Sequence, residues 1–284
     1  MREPRLITHL SDAELKPLDV RAATDKTVTF VDAFEPRCES GLGLALRTAA
    51  LLGVPARAVL LALRLEASRP AMVSETDFAQ QLAEATRESE LLCVAMLGPL
   101  AVPRLLEAAL VQLESEAAEH HCAMLLDVNL LARDGRRLVS EEALESARRT
   151  LFGRSRVLMA NTEEASLLLG RTVQGMDGMR QACFRLGELG PQSVLLTGGR
   201  TQGHALDLFF DGSDIFEFGA DREPTWDLRG AGVLLRASLS CGIVRDLPLL
   251  AAVEEAKSDV TAAIRKARRI GDRWVCEPQG CASA

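Results

Sequence analysis

The chain has 284 residues, of which 48% are hydrophobic and 26% charged. That composition supports a sizeable core and excludes the disordered and fibrous classes. A net charge of -7 argues against a nucleic-acid partner, which needs a basic face.

Residues 1–26 are mixed and polar and read as an appended arm, with a short helix over Asp12–Lys16. They lack the apolar stretch of a signal peptide. Thr27–Val31 is a short β-rich run, and Glu35–Gly41 reads as a turn. Leu42–Leu52 is an apolar helix closed by Gly53, a residue suited to a helix C-terminus. Ala58–Leu63 reads as a strand, Asp77–Glu88 as an amphipathic helix, Leu91–Met96 as a strand and Pro103–Glu116 as a helix. Ala123–Asp127 is a buried strand closed by a carboxylate, and Ser140–Leu151 a helix with Ser140 as N-cap. Arg156–Met159 is a strand, Thr162–Leu169 a helix with Gly170 beyond it, and Gly175–Leu189 another helix. Ser193–Thr197 is a strand leading into Gly198-Gly199. Ala205–Phe210 and Ile215–Phe218 form a hairpin about Asp211-Gly212. Gly230-Ala231-Gly232 opens a long apolar helix, and Leu249–Arg269 gives the last one.

Strands and helices alternate, which argues for a mostly parallel sheet covered on both faces. Ligands in such folds bind at the carboxyl ends of the strands, so the loops after Val31, Leu63, Met96, Asp127, Met159 and Thr197 are expected to line one crevice. No apolar run reaches membrane-spanning length, so no membrane partner is expected. Seven cysteines are dispersed without C-x-x-C spacing, which excludes a zinc ribbon and fits reduced thiols in the cytoplasm. The pair His120-His121 stands apart from any metal-ligand cluster, and Cys241 reads as core. The basic run Arg265–Arg269 reads as the last turn of a helix.

Several segments, taken in order, are similar to those of the hydroxymethylpyrimidine/phosphomethylpyrimidine kinases of the ribokinase-like superfamily. Asp127–Leu138 resembles their D-P-V-M-x-x-x-x-G-x-x-L, Val157–Ala165 their T-P-N-x-x-E-A and Val194–Gly199 their V-L-V-K-G-G. Asp207–Gly212 resembles D-x-L-x-D-G, and Gly230–Val233 stands where the family has G-T-G-C. At the N-terminal side Glu35-Pro36, Gly41 and Leu51–Val54 give a fainter match. The resemblance covers roughly residues 27–268 and implies a ribokinase-like three-layer α/β/α domain over residues 27–284, with the arm outside it.

It also implies phosphoryl transfer from ATP, with Mg, to the hydroxymethyl group of a pyrimidine in thiamine biosynthesis. Gly230, Ala231 and Gly232 would cradle phosphate, through free N–H groups at a helix start. Arg229 and Arg236 flank that loop and would add charge. Asn161 and Glu164 fall on the family's N-x-x-E, Glu164 being the candidate Mg residue; the bland alternatives are an N-cap and a solvated helical carboxylate. Thr197 and Gly199 complete the nucleotide side. Glu66, Met96, Asp127 and Gly41 would line the substrate pocket. Asp127 at the end of a buried strand needs a cation, a helix N-terminus or a ligand to account for it.

Other positions depart from the pattern. Val233 replaces the Cys at the base position and can neither take a proton nor stabilise an alkoxide. Thr197 replaces a Lys, Ala45 replaces an Asp, and Cys38-Glu39 replaces a Gly-Gly. These losses point to a degenerate kinase that binds a ligand, a pyrimidine or nucleotide, or a protein partner. The alternatives are an active kinase of hydroxymethylpyrimidine or a pyridoxal-like molecule, and a structural subunit whose pocket Leu44 and Val233 close. A homodimer is left open.

Overall fold

The computed structural model describes residues 5–9, 23–65, 70–87, 89–95, 102–107, 122–132, 135–198, 205–221, 228–276 and 278. In chain order its elements are β1 (Arg5–His9), β2 (Val28–Phe34), α1 (Gly41–Leu51), β3 (Ala56–Leu63), β4 (Ala71–Met72), α2 (Glu75–Thr86), β5 (Leu91–Ala95) and β6 (Ala123–Asp127). There follow α3 (Glu141–Thr150), β7 (Val157–Asn161), α4 (Thr162–Leu169), α5 (Gly175–Gly187), β8 (Val194–Thr197), β9 (Ala205–Phe210) and β10 (Ile215–Ala220). The chain closes with β11 (Leu228–Arg229), α6 (Ala231–Val244), α7 (Leu249–Arg265), β12 (Arg268–Ile270) and β13 (Arg273–Val275). The fold is α/β, with a large, mostly parallel sheet and accompanying helices.

The chain divides into two compact units, one of Met1–Leu10, Val94–Gln112 and Ala123–Arg222, the other of Ser11–Cys93, Leu113–Cys122 and Glu223–Ala284. In the first, hydrogen bonding runs in the order β1-β10-β9-β8-β7-β6. β6, β7 and β8 are parallel, and β9 and β10 form the expected antiparallel hairpin. β6 buries Met124, Leu125 and Leu126 and β7 buries Val157 to Ala160, the near-continuous apolar runs that parallel strands covered on both faces require. Ser140 caps α3 by accepting the Ala143 N–H; Glu141 and Glu142 in its first turn and Arg148 and Arg149 in its last suit the helix dipole.

In the second unit, β2 pairs in parallel with β3 and antiparallel β4 follows. Here Phe30, Leu44, Leu61, Phe78, Leu82 and Leu239 are fully buried or nearly so. β11, β13 and β12 form a separate three-stranded sheet.

Two expectations are corrected and a third is untested. Residues 5–9 of the arm form a strand, paired in parallel with Ile215–Ala220. The helix expected over Asp12–Lys16 lies outside the described residues. The last helix ends at Arg265, and Gly271, in the left-handed region, then turns the chain into an antiparallel hairpin in which Arg268 opposes Val275. Arg268 and Arg269 therefore belong to a strand and not to a helical turn. No helix of the described residues is long and apolar enough to cross a membrane.

Candidate active site

The polar site residues of the first unit sit where the strands end. Asp127, Asn161 and Thr197 are the last residues of β6, β7 and β8, and the ladder sets Asn161 opposite Thr197 and Thr197 opposite Asp207. Asn161 and Glu164 form a full capping box on α4. The Glu164 N–H donates to Asn161 Oδ1 at 2.9 Å, and the Asn161 N–H donates to Glu164 Oε2 at 3.0 Å. Glu164 Oε1 accepts a further bond from the Leu130 N–H at 3.0 Å, which ties the loop after β6 to the start of α4.

Glu164 is therefore not the solvated carboxylate of the bland reading: it is 4% exposed. Burial, and next the negative charge of Asp127, push its carboxyl up to about 7, against the two backbone N–H bonds that favour the ionised form. Two carboxylates that repel one another at a site of this kind are what a cation would relieve. Among the described residues no three His, Cys, Asp or Glu groups converge on one point. Asp127 and Glu164 are oxygen donors of the kind a hydrated Mg accepts, and these two carboxylates would hold it if it binds here. Beyond Thr197, the Gly198 N–H donates to Asp207 Oδ1 at 3.0 Å, so this buried aspartate holds the backbone at the end of β8.

The second unit carries the glycine loop. Gly230, at φ +90, is the N-cap of the 14-residue helix α6. A Cβ on Gly230 would lie 2.8 Å from a Leu44 methyl, 2.9 Å from the Glu39 carbonyl oxygen and 3.2 Å from the Cys276 carbonyl oxygen, so only glycine fits. Gly232 is the opposite case: it is exposed, and a Cβ there would meet nothing within 4 Å. Gly232 thus leaves open space in the first turn of a helix, where N–H groups without helical partners can receive an anion. Val233 is half-buried in the same first turn.

The arginines differ from expectation. Arg236 is 3% exposed and bonds Asp32, which is itself buried, so its charge is spent on the interior and does not serve the loop. Arg229 is half-buried, with its Nε buried and without a hydrogen-bond acceptor among the described residues. Gly41 opens α1 at φ +60, its Cα against the Ala33 carbonyl. Cys38 takes a left-handed φ of 53 and packs its sulfur over Gly43. Ala45 is fully buried and Cys241 lies in the core, as expected. Glu66, Met96, Gly199 and the pair His120-His121 lie outside the described residues.

Comparison with known proteins decides the family. The family model described as phosphomethylpyrimidine kinase matches residues 40–276. The chain belongs to the phosphomethylpyrimidine kinase family. Among curated relatives, the hydroxymethylpyrimidine/phosphomethylpyrimidine kinase of Aquifex aeolicus is 27% identical over 62% of this chain and 68% of its own length. That of Mycobacterium bovis is 33% identical over 52% of this chain and 54% of its own. A thiamine biosynthesis bifunctional protein of Geobacter sulfurreducens is 30% identical over 52% of this chain, which spans 30% of that longer protein. Pyridoxal kinase of Bacillus subtilis, solved with ADP, superposes with TM-score 0.79 at 19% identity over 89% of this chain and 97% of its own. Phosphomethylpyrimidine kinase of Clostridium difficile gives 0.71 at 17% identity, over 84% of this chain and 99% of its own. At such identities these structures establish the ribokinase-like fold alone.

Sequence reading missed the paired partners of this family member's loops. Asp32, Arg236, Glu39, Arg273 and Asp207 are polar residues within apolar or irregular stretches. Their burial marks them, and periodicity alone could not have paired Asp32 with a residue 204 positions away.

Proposed function

We propose that this chain is a phosphomethylpyrimidine kinase-like protein of thiamine biosynthesis. In this reading it binds nucleotide phosphates at the glycine loop and transfers phosphate slowly or not at all. The observation that carries the proposal is Val233, set in the first turn of α6 beside the open Gly232, where a proton acceptor or an alkoxide-stabilising group would be required. Thr197 further removes a positive charge from the nucleotide side. Gly230, Ala231 and Gly232 would take phosphate through backbone amides, which no side-chain loss removes. Asn161, Glu164, Thr197 and Gly199 would serve the nucleotide and its Mg, with Asp127 beside Glu164. Glu66, Met96, Asp127 and Gly41 are the proposed substrate side. Partners are then a pyrimidine and a nucleotide, and the setting cytoplasmic.

An active kinase is the second reading. The intact Asn161–Glu164 box and the open Gly232 favour it, and a metaphosphate-like transition state asks little of a base. Solved relatives named as pyridoxal kinases, one with AMP-PCP and pyridoxal, widen the candidate acceptors to pyridoxal-like alcohols. The closed-pocket structural subunit is disfavoured by the open space at Gly232. The test is phosphorylated product formed from hydroxymethylpyrimidine, its phosphate and pyridoxal against ATP consumed. Slow or absent turnover with Mg·ADP still bound is expected; rates of about 1–100 per second would establish the active reading instead.

A further inference from the structure

The glycine loop is gripped by two other segments, and these are tied to each other by a buried ion pair. Glu39 touches Gly230 through its carbonyl, on the face where a Cβ would collide. On the other side, β11 pairs in parallel with β13, setting Arg229 against Val275, and the Cys276 N–H donates to the Arg229 carbonyl at 2.9 Å. The Cys276 carbonyl also packs on Gly230. The ring is closed by Arg273 of β13, whose Nε lies 3.3 Å from Glu39 Oε2, both side chains being about nine-tenths buried. Glu39 is further fixed from behind, because Glu35 Oε1 accepts the N–H groups of Glu39 and Ser40 at 2.5 and 2.9 Å.

We infer that Arg273 is a positioning residue for the glycine loop: it holds Glu39 against Gly230 and offsets a negative charge beside an anion site. Its role is indirect, since it acts through Glu39. The charge argument rests on the reading that Gly230–Gly232 receives phosphate; the positional argument does not. A carboxylate next to a phosphate cradle repels the ligand unless a cation neutralises it, and the effect is large where water is excluded. The same contact transmits order, because a loop trapped between two carbonyls opens when either of them moves.

The two arguments give distinct tests. Calorimetry with Mg·ADP would compare wild type, Arg273→Met, Arg273→Lys, Glu39→Gln and the Glu39→Gln/Arg273→Met double variant. Arg273→Met is expected to weaken binding on the order of tenfold. Arg273→Lys, which keeps the charge, and the double variant, which removes both charges, should recover to within about threefold of wild type. A residue acting through fold stability alone would give a double variant no better than Arg273→Met. Wild-type affinity in Arg273→Met, or no recovery in the double variant, overturns the charge argument. Amide hydrogen exchange without ligand tests the position. In Arg273→Met, exchange at Ser40 and Gly41 and at Ala231 to Val233 should quicken together. Quickening confined to residues 39–41, or none, overturns it. Should wild type fail to bind Mg·ADP, the kinase reading falls on that result and the exchange measurement still decides the positional role of Arg273.

Discussion

Replacing Glu164 by Gln should change how stability depends on pH. In the fold the Glu164 carboxyl titrates at about 7, against 4.5 for the ordinary group, because burial and the Asp127 charge disfavour its ionised form. The folded chain therefore binds this proton more tightly than the unfolded chain. Its contribution to stability is complete below about pH 4.5 and is lost as pH rises through 7. At 1.36 kcal/mol per pH unit, ionising the buried group costs roughly 3 kcal/mol by pH 8. Glutamine does not titrate, so the variant lacks this slope. It has its own cost: one of the two backbone donors, Leu130 N–H or Asn161 N–H, then faces an amide NH2, at about 1–3 kcal/mol. Glu164→Gln should accordingly be less stable than wild type at pH 5 and should close or reverse the gap by pH 8. Urea denaturation of both proteins at pH 5, 6, 7 and 8 measures it. A stability difference constant across that range would show that Glu164 does not carry the displaced titration, and the electrostatic account of the site would fail.

The glycine loop gives a paired expectation: Gly232→Ala should leave the melting temperature unchanged and abolish Mg·ADP binding, whereas Gly230→Ala should cost roughly 1–3 kcal/mol through left-handed strain and collision with Glu39 and Cys276, as thermal unfolding and calorimetry would show. Val233→Cys should leave nucleotide affinity alone and raise product formation in a coupled kinase assay; unchanged turnover would mean that position 233 is not what limits transfer. Arg236→Met alone should destabilise by about 3–5 kcal/mol because it strands buried Asp32, while the Asp32→Ala/Arg236→Met pair should recover much of the loss in urea melts. Asn161→Ala should cost about 1 kcal/mol from the lost cap, and a larger loss would point to a role for Asn161 beyond α4.

The regular elements were legible because local chemistry sets them. Ser140 ahead of two glutamates, Gly170 after an apolar run and Asp211-Gly212 between two β-rich segments each act within a few residues, and each stands where expected. The sequence extends the last helix to Arg269 because Leu249–Arg265 keeps a helical period up to its edge and basic residues suit a helix end. The sequence Ile270-Gly271-Asp272-Arg273-Trp274-Val275 nonetheless carries a hairpin signal, a Gly-Asp turn before aromatic and β-branched residues. At the site, the glycine loop and the Asn161–Glu164 pair were found because backbone geometry and capping restrict their residue types. Arg236 was misassigned because flanking a loop in sequence says nothing of which side of a helix a residue occupies, and the second turn of α6 is wholly buried. The burial of Glu164 is likewise not legible from its own helix, since one of the groups that fix its carboxylate, the Leu130 N–H, lies 34 residues away.

The interleaving of the two units bears on how the protein is made. The unit that begins at Ser11 is not complete until residues beyond Glu223 have been added, whereas the other holds all its segments once Arg222 is in place. During vectorial synthesis the second of these can therefore finish folding first, while the segment from Ser11 to Cys93 waits for α6, α7 and the hairpin that follow. Neither unit is a continuous stretch of chain, so cutting at any single peptide bond releases no self-sufficient half. A ribosome stalled near position 230 would leave α1, and with it Leu44, without the helix Ala231–Val244 that packs on it, the state most exposed to chaperones and proteases.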